Sequence, residues 1–180
     1  MGYHHVAMAT TDLEASHRFY TEVMGFELVK TVVAPTGSPG GGWAKHVFYD
    51  TGGGELFALW DLHDPDIEPG YATALSRGLG LPEWVNHIAF AAATLDELAA
   101  RCRRWQEHGI EVVEIDHEFC RSIYATDPGG TLVEFSCTTV AFTADDAAEA
   151  QRQLDDPAPA LGEMPEMTFH PALLPATPPA

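Results

Sequence analysis

One supersecondary unit is written twice in this 180-residue chain, and the repeat constrains the fold more than any other feature. The first copy opens on Tyr3-His4-His5-Val6-Ala7-Met8-Ala9-Thr10, which reads as a strand. The second opens on Val85-Asn86-His87-Ile88-Ala89-Phe90-Ala91, at an offset of about eighty residues. Asp12 and Thr94 stand seven residues after His5 and His87, and each suits a helix N-cap. Glu97 completes a capping box with Thr94. The two helices are expected to reach about Met24 and about His108, with Gly25 and Gly109 placed to stop them. Strands follow over Phe26–Val33, Trp43–Tyr49 and Glu55–Trp60, and again over Ile110–Ile115, Ile123–Thr126 and Thr131–Cys137. Each copy is βαβββ, so the chain reads as an α+β protein of two tandem modules, residues 1–61 and 85–140.

The hairpin that closes the second module carries a carboxylate in an awkward place. Asp127-Pro128-Gly129-Gly130 is a turn, because Pro presets φ and Gly accepts φ > 0. Period-2 alternation after it puts Leu132, Glu134 and Ser136 on one face and Thr131, Val133 and Phe135 on the other. Both faces are largely apolar, so Glu134 needs a partner or a cation. With the tight turn centred on Pro128 and Gly129, Tyr124 falls about one residue pair out of step with Glu134. Superposing Asp50-Thr51-Gly52-Gly53 on Asp127-Pro128-Gly129-Gly130 sets Phe57 against Glu134, so the first module offers no second carboxylate there.

His5 and His87 are the partners the repeat supplies. They hold the same place on the first strand of each copy, and Ala7 and Ala9, or Ala89 and Ala91, share their faces. If two sheets curl around one cavity, His5, His87 and Glu134 converge. Two histidines and a carboxylate with open positions is the facial triad of non-haem iron oxygenases. A lone strand histidine is more often a hydrogen-bonded core residue, but equivalent positions in a repeat shift the balance toward metal.

Composition narrows the partners. A net charge of −18 with nine Lys and Arg excludes the positive footprint that nucleic acid or an anionic membrane requires. No apolar run is long enough to span a membrane and no signal-peptide pattern is present, so the expected location is cytoplasmic. Cys102, Cys120 and Cys137 give neither a zinc pattern nor a disulfide framework. Residues 62–84 form a connection rich in Gly and Pro that could cover a site, and Trp43, Trp60 and Trp84 could wall an aromatic pocket beside it. Residues 141–180 read as one amphipathic helix, Thr143 to Leu154, and then a Pro/Ala-rich tail that is disordered or draped over the surface.

Over residues 3–140 the chain resembles the vicinal oxygen chelate superfamily, which holds glyoxalase I, fosfomycin-resistance proteins and extradiol ring-cleaving dioxygenases. The resemblance rests on His-Val/Ile-Ala in each copy and on Phe19-Tyr20-Thr21-Glu22-Val23-Met24-Gly25-Phe26. It implies paired βαβββ modules forming a cupped mixed sheet around a divalent metal held by His5, His87 and Glu134. Ile115-Asp116-His117, Ile123-Tyr124, Asp127-Pro128-Gly129-Gly130 and Glu134 resemble the extradiol signature. That likeness implies an Fe(II) enzyme, with Mn, Ni or Zn as alternatives, cleaving a catechol-type ring with O₂. Tyr124 would hydrogen-bond a catecholate oxygen and His117 would assist beside it. A further acid–base histidine, common near the last strand of the first module, is missing, leaving His46 or Glu55 as candidates. The expected partners are a small aromatic substrate, O₂ and a second copy in a homodimer. Competing classes are a glyoxalase-type isomerase or lyase, which would want a second carboxylate, and a non-catalytic drug-sequestering binder, which would not need the triad.

Overall fold

The computed structural model describes residues 2–174. Strand β1 (His5–Thr10) leads into helix α1 (Leu13–Arg18), where the Asp12 side chain accepts from Ala15 N at 2.9 Å. The helix runs on through a π-helical turn, Phe19–Val23, in which Met24 N donates to Phe19 O. Gly25 ends it at φ +79°, a conformation that costs glycine little. Strands β2 (Glu27–Pro35), β3 (Trp43–Asp50) and β4 (Leu56–His63) complete the first module. One short helix, α2 (Leu75–Gly78), interrupts the connection, and Thr73 Oγ1 donates to Gly129 O at 2.9 Å, tying it to the distant hairpin.

The second module repeats the order with β5 (His87–Ala91), α3 (Leu95–Glu107), β6 (Val112–Asp116), β7 (Cys120–Thr126) and β8 (Leu132–Thr138). Thr94 caps α3 by accepting from Glu97 N, whereas the Glu97 carboxylate reaches Ala93 N, one residue ahead of the expected box. Helix α4 (Ala144–Asp155) carries a full capping box between Thr143 and Asp146. The described part of the tail does more than drape. Residues Glu166–His170 form β9, antiparallel to β6. Residues 175–180 of the expected tail lie outside the described residues.

The strands make two mixed sheets, ordered β1-β4-β3-β2 and β5-β8-β7-β6-β9. In each, the histidine-bearing strand lies at the edge and runs parallel to the last strand of its module. One face of each sheet feeds a shared core. Val47, Tyr49, Phe57 and Leu59 meet Phe90, Ile123, Val133 and Phe135 there, with Tyr20 and Trp105 from the helical segments. Burying this many large apolar side chains, at roughly 1.5–3 kcal/mol each, is the main force joining the modules. Polar ties lock their relative position. The Tyr20 hydroxyl donates to Asp127 Oδ2 at 2.7 Å, and Arg101 and Arg104 donate to Met24 O and Glu22 O. The expected fold class therefore holds, as α+β with two mixed sheets from βαβββ-like modules.

Register corrects two details. Leu56 pairs His5 as Leu132 pairs His87, so Ala58, opposite Ala7, occupies the place that Glu134 holds opposite Ala89. Phe57 instead points into the core at 1% exposure. The turns align one residue away from the sequence superposition, with Thr51 matching Asp127 and Gly54 matching Gly130. Both glycines have positive φ, +94° and +82°. Second, the Asp127–Thr131 turn is a three-residue loop with Gly130 in the left-handed position, wider by one than the tight turn expected. Tyr124 therefore sits directly opposite Glu134.

Candidate functional site

The face of each sheet turned away from the core is open. His5, Ala7, His87, Ala89 and Ala91 are all exposed on it. Glu134 is buried on the same side of the second sheet, 5% exposed. Its Oε2 lies 3.1 Å from His87 Nε2. The other imidazole nitrogen, Nδ1, is 3.0 Å from the carbonyl oxygen of Trp84. A carbonyl only accepts, so Nδ1 carries the proton and Nε2 presents either a lone pair or a second proton to the carboxylate. A lone pair facing a carboxylate oxygen at that distance is repulsive unless a cation lies between them. The pair is thus built for a shared proton or a shared metal ion. A backbone carbonyl that fixes the second nitrogen is the usual support of a ligating histidine. The donor set of one nitrogen and one carboxylate oxygen suits a first-row divalent ion.

Tyr124 and His117 form the neighbouring pair. Tyr124 Oη lies 2.8 Å from His117 Nε2, and its ring centroid is 6.3 Å from that of His87. Burial, and then the Glu134 charge, raise the Tyr124 phenol well above the ordinary tyrosine value, so it stays protonated as a donor. His117 is set by the tight β6–β7 hairpin, where His117 N donates to Cys120 O and Phe119 N to His117 O. Making that turn forces Glu118 to φ +69°, a conformation disfavoured for a residue with a Cβ.

Four of the five expected site residues thus share one side of the second sheet, and His5 does not join them. It lies on the first sheet, with ring contacts to His4, His46 and Phe48. Among the described residues, no group of three His, Cys, Asp or Glu side chains could hold a metal within a single chain. His46 stacks on Trp60 at 3.7 Å, with Nε2 buried and unpartnered. Burial and the neighbouring His5 lower its basicity. Glu55 precedes β4, its carboxylate near Gly2 and Gly53. Of the tryptophans, Trp60 alone stands on the open face with His46. Trp43 stacks on His63, and Trp84, 70% exposed, contributes its carbonyl to His87. Sequence reasoning could not find that carbonyl, because a backbone group leaves no signature. Cavities of about 500 and 400 Å³ open beside Phe119 and Phe142, and beside His17 and Tyr49, and neither is lined by His87, Glu134 or Tyr124.

The sequence profile of the Glyoxalase/Bleomycin resistance protein/Dioxygenase superfamily matches residues 2–135, nearly three quarters of the chain. The chain belongs to this superfamily. Its fold is that of other superfamily members. A glyoxylase/bleomycin resistance protein/dioxygenase domain from Frankia sp. EAN1pec superposes with a TM-score of 0.54 at 17% identity, covering 77% of this chain and 98% of that one. The fosfomycin resistance protein FosX from Listeria monocytogenes gives 0.51 at 17%, covering 81% and 97%. A lactoylglutathione lyase from Agrobacterium tumefaciens gives 0.50 at 21%, covering 76% and 92%. At such identities the likeness is one of fold. No match was found among curated proteins. Among the described residues, no helix of this superfamily member is long and apolar enough to cross a membrane.

Proposed function

We propose that the protein is a divalent-metal enzyme of extradiol type, cleaving a catechol-class aromatic ring with O₂, and that Fe(II) is its ion. The observation that carries this reading is the His87–Glu134 pair with its fixed tautomer, set beside the hydrogen-bonded Tyr124–His117 pair. A base-driven isomerase of glyoxalase type would want a second carboxylate, and Ala58 stands at the matching position.

The third ligand comes from a second copy. β1 and β5 each stand at one edge of their sheet, and the open faces carrying His5 and His87 are flanked by small alanines. A two-fold dimer that sets β1 of one copy beside β5 of the other covers both edges and builds two identical sites. Each holds His87 and Glu134 of one copy and His5 of its partner.

When bound, the ion supplies Lewis acidity and a point on which substrate oxygens are held. The chain supplies the rest. Tyr124 donates its proton to an ionised substrate oxygen, and that hydrogen bond favours the anionic form. His117 Nε2–H donates to the phenol oxygen in turn, so the proton sits at a defined atom and the two groups polarise one another. Both oxygen atoms of O₂ enter the ring-opened product, so the reaction needs no outside reductant. Anaerobic purification with metal analysis, then O₂ uptake on a panel of catechols, tests the reading. Uptake matched by ring-opened product is expected. Metal-loaded protein that consumes no O₂ with any catechol would leave an isomerase or a pure binder.

A further inference from the structure

We propose that β9 forms the far wall of the substrate site and that Phe169 and Met167 select substrates bearing an apolar or aromatic substituent. The inference rests on the site reading above. β9 lies outside residues 2–135, the part of the chain shared with the superfamily. Pairing across the second sheet runs Ala89, Glu134, Tyr124, Val113, Phe169 in one lateral row. The adjoining row runs Ser136, Ser122, Ile115, Met167. Side chains in register share a face, so Phe169 and Met167 extend the side that carries Glu134 and Tyr124. Each row turns from polar to apolar as it leaves β7.

β9 does not need these two side chains to stay in place. Its backbone pairs with β6 along Val112–Asp116. On the opposite face, His170 Nε2 lies 2.8 Å from Glu114 Oε2, and beyond the strand Leu173 N donates to Gln106 O while Gln106 Nε2 donates to Pro171 O. Yet Phe169 is 64% exposed and Met167 45%. Large apolar side chains left open beside a site mark a binding surface. Three strand spacings separate Phe169 from Glu134, about 14 Å between Cα atoms. A single catechol ring held at Glu134 falls short of that wall, and a substituent directed along the row reaches it.

The test compares catechol with 3-phenylcatechol and 4-phenylcatechol on the metal-loaded protein, by kcat/KM and by equilibrium binding. The parent should prefer one phenylcatechol over catechol. Phe169→Ala should lose about tenfold of that preference through KM, with catechol itself unaffected, and Phe169→Leu should recover most of it. A parent that handles catechol without favouring either phenylcatechol overturns the inference and leaves the site reading intact. So does a Phe169→Ala variant that keeps the preference, or one that dissociates into monomers, since β9 would then be an interface between copies. A parent that neither binds nor turns over any of the three overturns the site reading, and this inference with it.

Discussion

His87 Nε2 stands 3.1 Å from Glu134 Oε2 while the Trp84 carbonyl holds Nδ1. In the proposed site the buried carboxylate and the oriented imidazole are two of three metal ligands, and His5 of a second copy is the third. Glu134→Gln keeps the shape and removes the charge. It should weaken divalent metal binding by at least about 100-fold, more than the loss of an outer support usually costs. Competition with a chromophoric chelator measures this. An unchanged affinity would place the ion elsewhere.

Tyr124 and His117 act as a unit if the 2.8 Å contact between them serves the reaction. Tyr124→Phe and His117→Ala should each lower kcat on catechols by about 10–100-fold while leaving metal content intact. The double variant should be little worse than either single one. Strictly additive losses would separate the two roles.

Asp127 links stability to pH. Burial raises its carboxyl above the ordinary aspartate range, against the hydrogen bonds it receives from Tyr20 and from the Thr131, Gly129 and Gly130 backbone. A folded value above the unfolded one favours the protonated form. Its contribution is complete in acid and lost as pH rises from about 4 through the raised value. Asp127→Asn removes that loss, so the variant should gain on the parent in urea unfolding between about pH 3.5 and pH 7. Parallel stability curves would contradict this. Tyr20→Phe strips a donor from the same buried carboxylate and should cost about 1–3 kcal/mol at pH 7.

Glu118→Gly relaxes the one non-glycine residue with positive φ among those described. The fold should gain up to about 1 kcal/mol, read as a higher Tm. A lower Tm would mean that the Glu118 side chain holds the hairpin.

Much of this was legible in the sequence because it repeats. His5 and His87, the caps at Asp12 and Thr94 and the stops at Gly25 and Gly109 come from local chemistry that reads the same in any fold. What hid was register and association. A side chain's face on a strand has period two, so a one-residue shift in aligning the turns set Phe57 where Ala58 stands. A loop one residue wider than expected moved Tyr124 to face Glu134 squarely. β9 hid in a Pro-rich tail because its pairing with β6 is non-local. In the proposed shared site His5 could be named as a ligand from sequence but not given to a chain, since nothing in one copy's sequence says which copy would supply it.

If each metal site is shared between two copies, variants broken at different ligands should complement one another. His5→Ala and Glu134→Gln variants, carrying different tags, are made separately and by co-expression, and bound metal is measured. Each variant alone should be nearly empty. Random pairing makes half the dimers mixed, and each mixed dimer holds one intact site of two, so the co-expressed sample should recover about a quarter of the parent's metal. A co-expressed sample as empty as either variant alone would contradict the shared site.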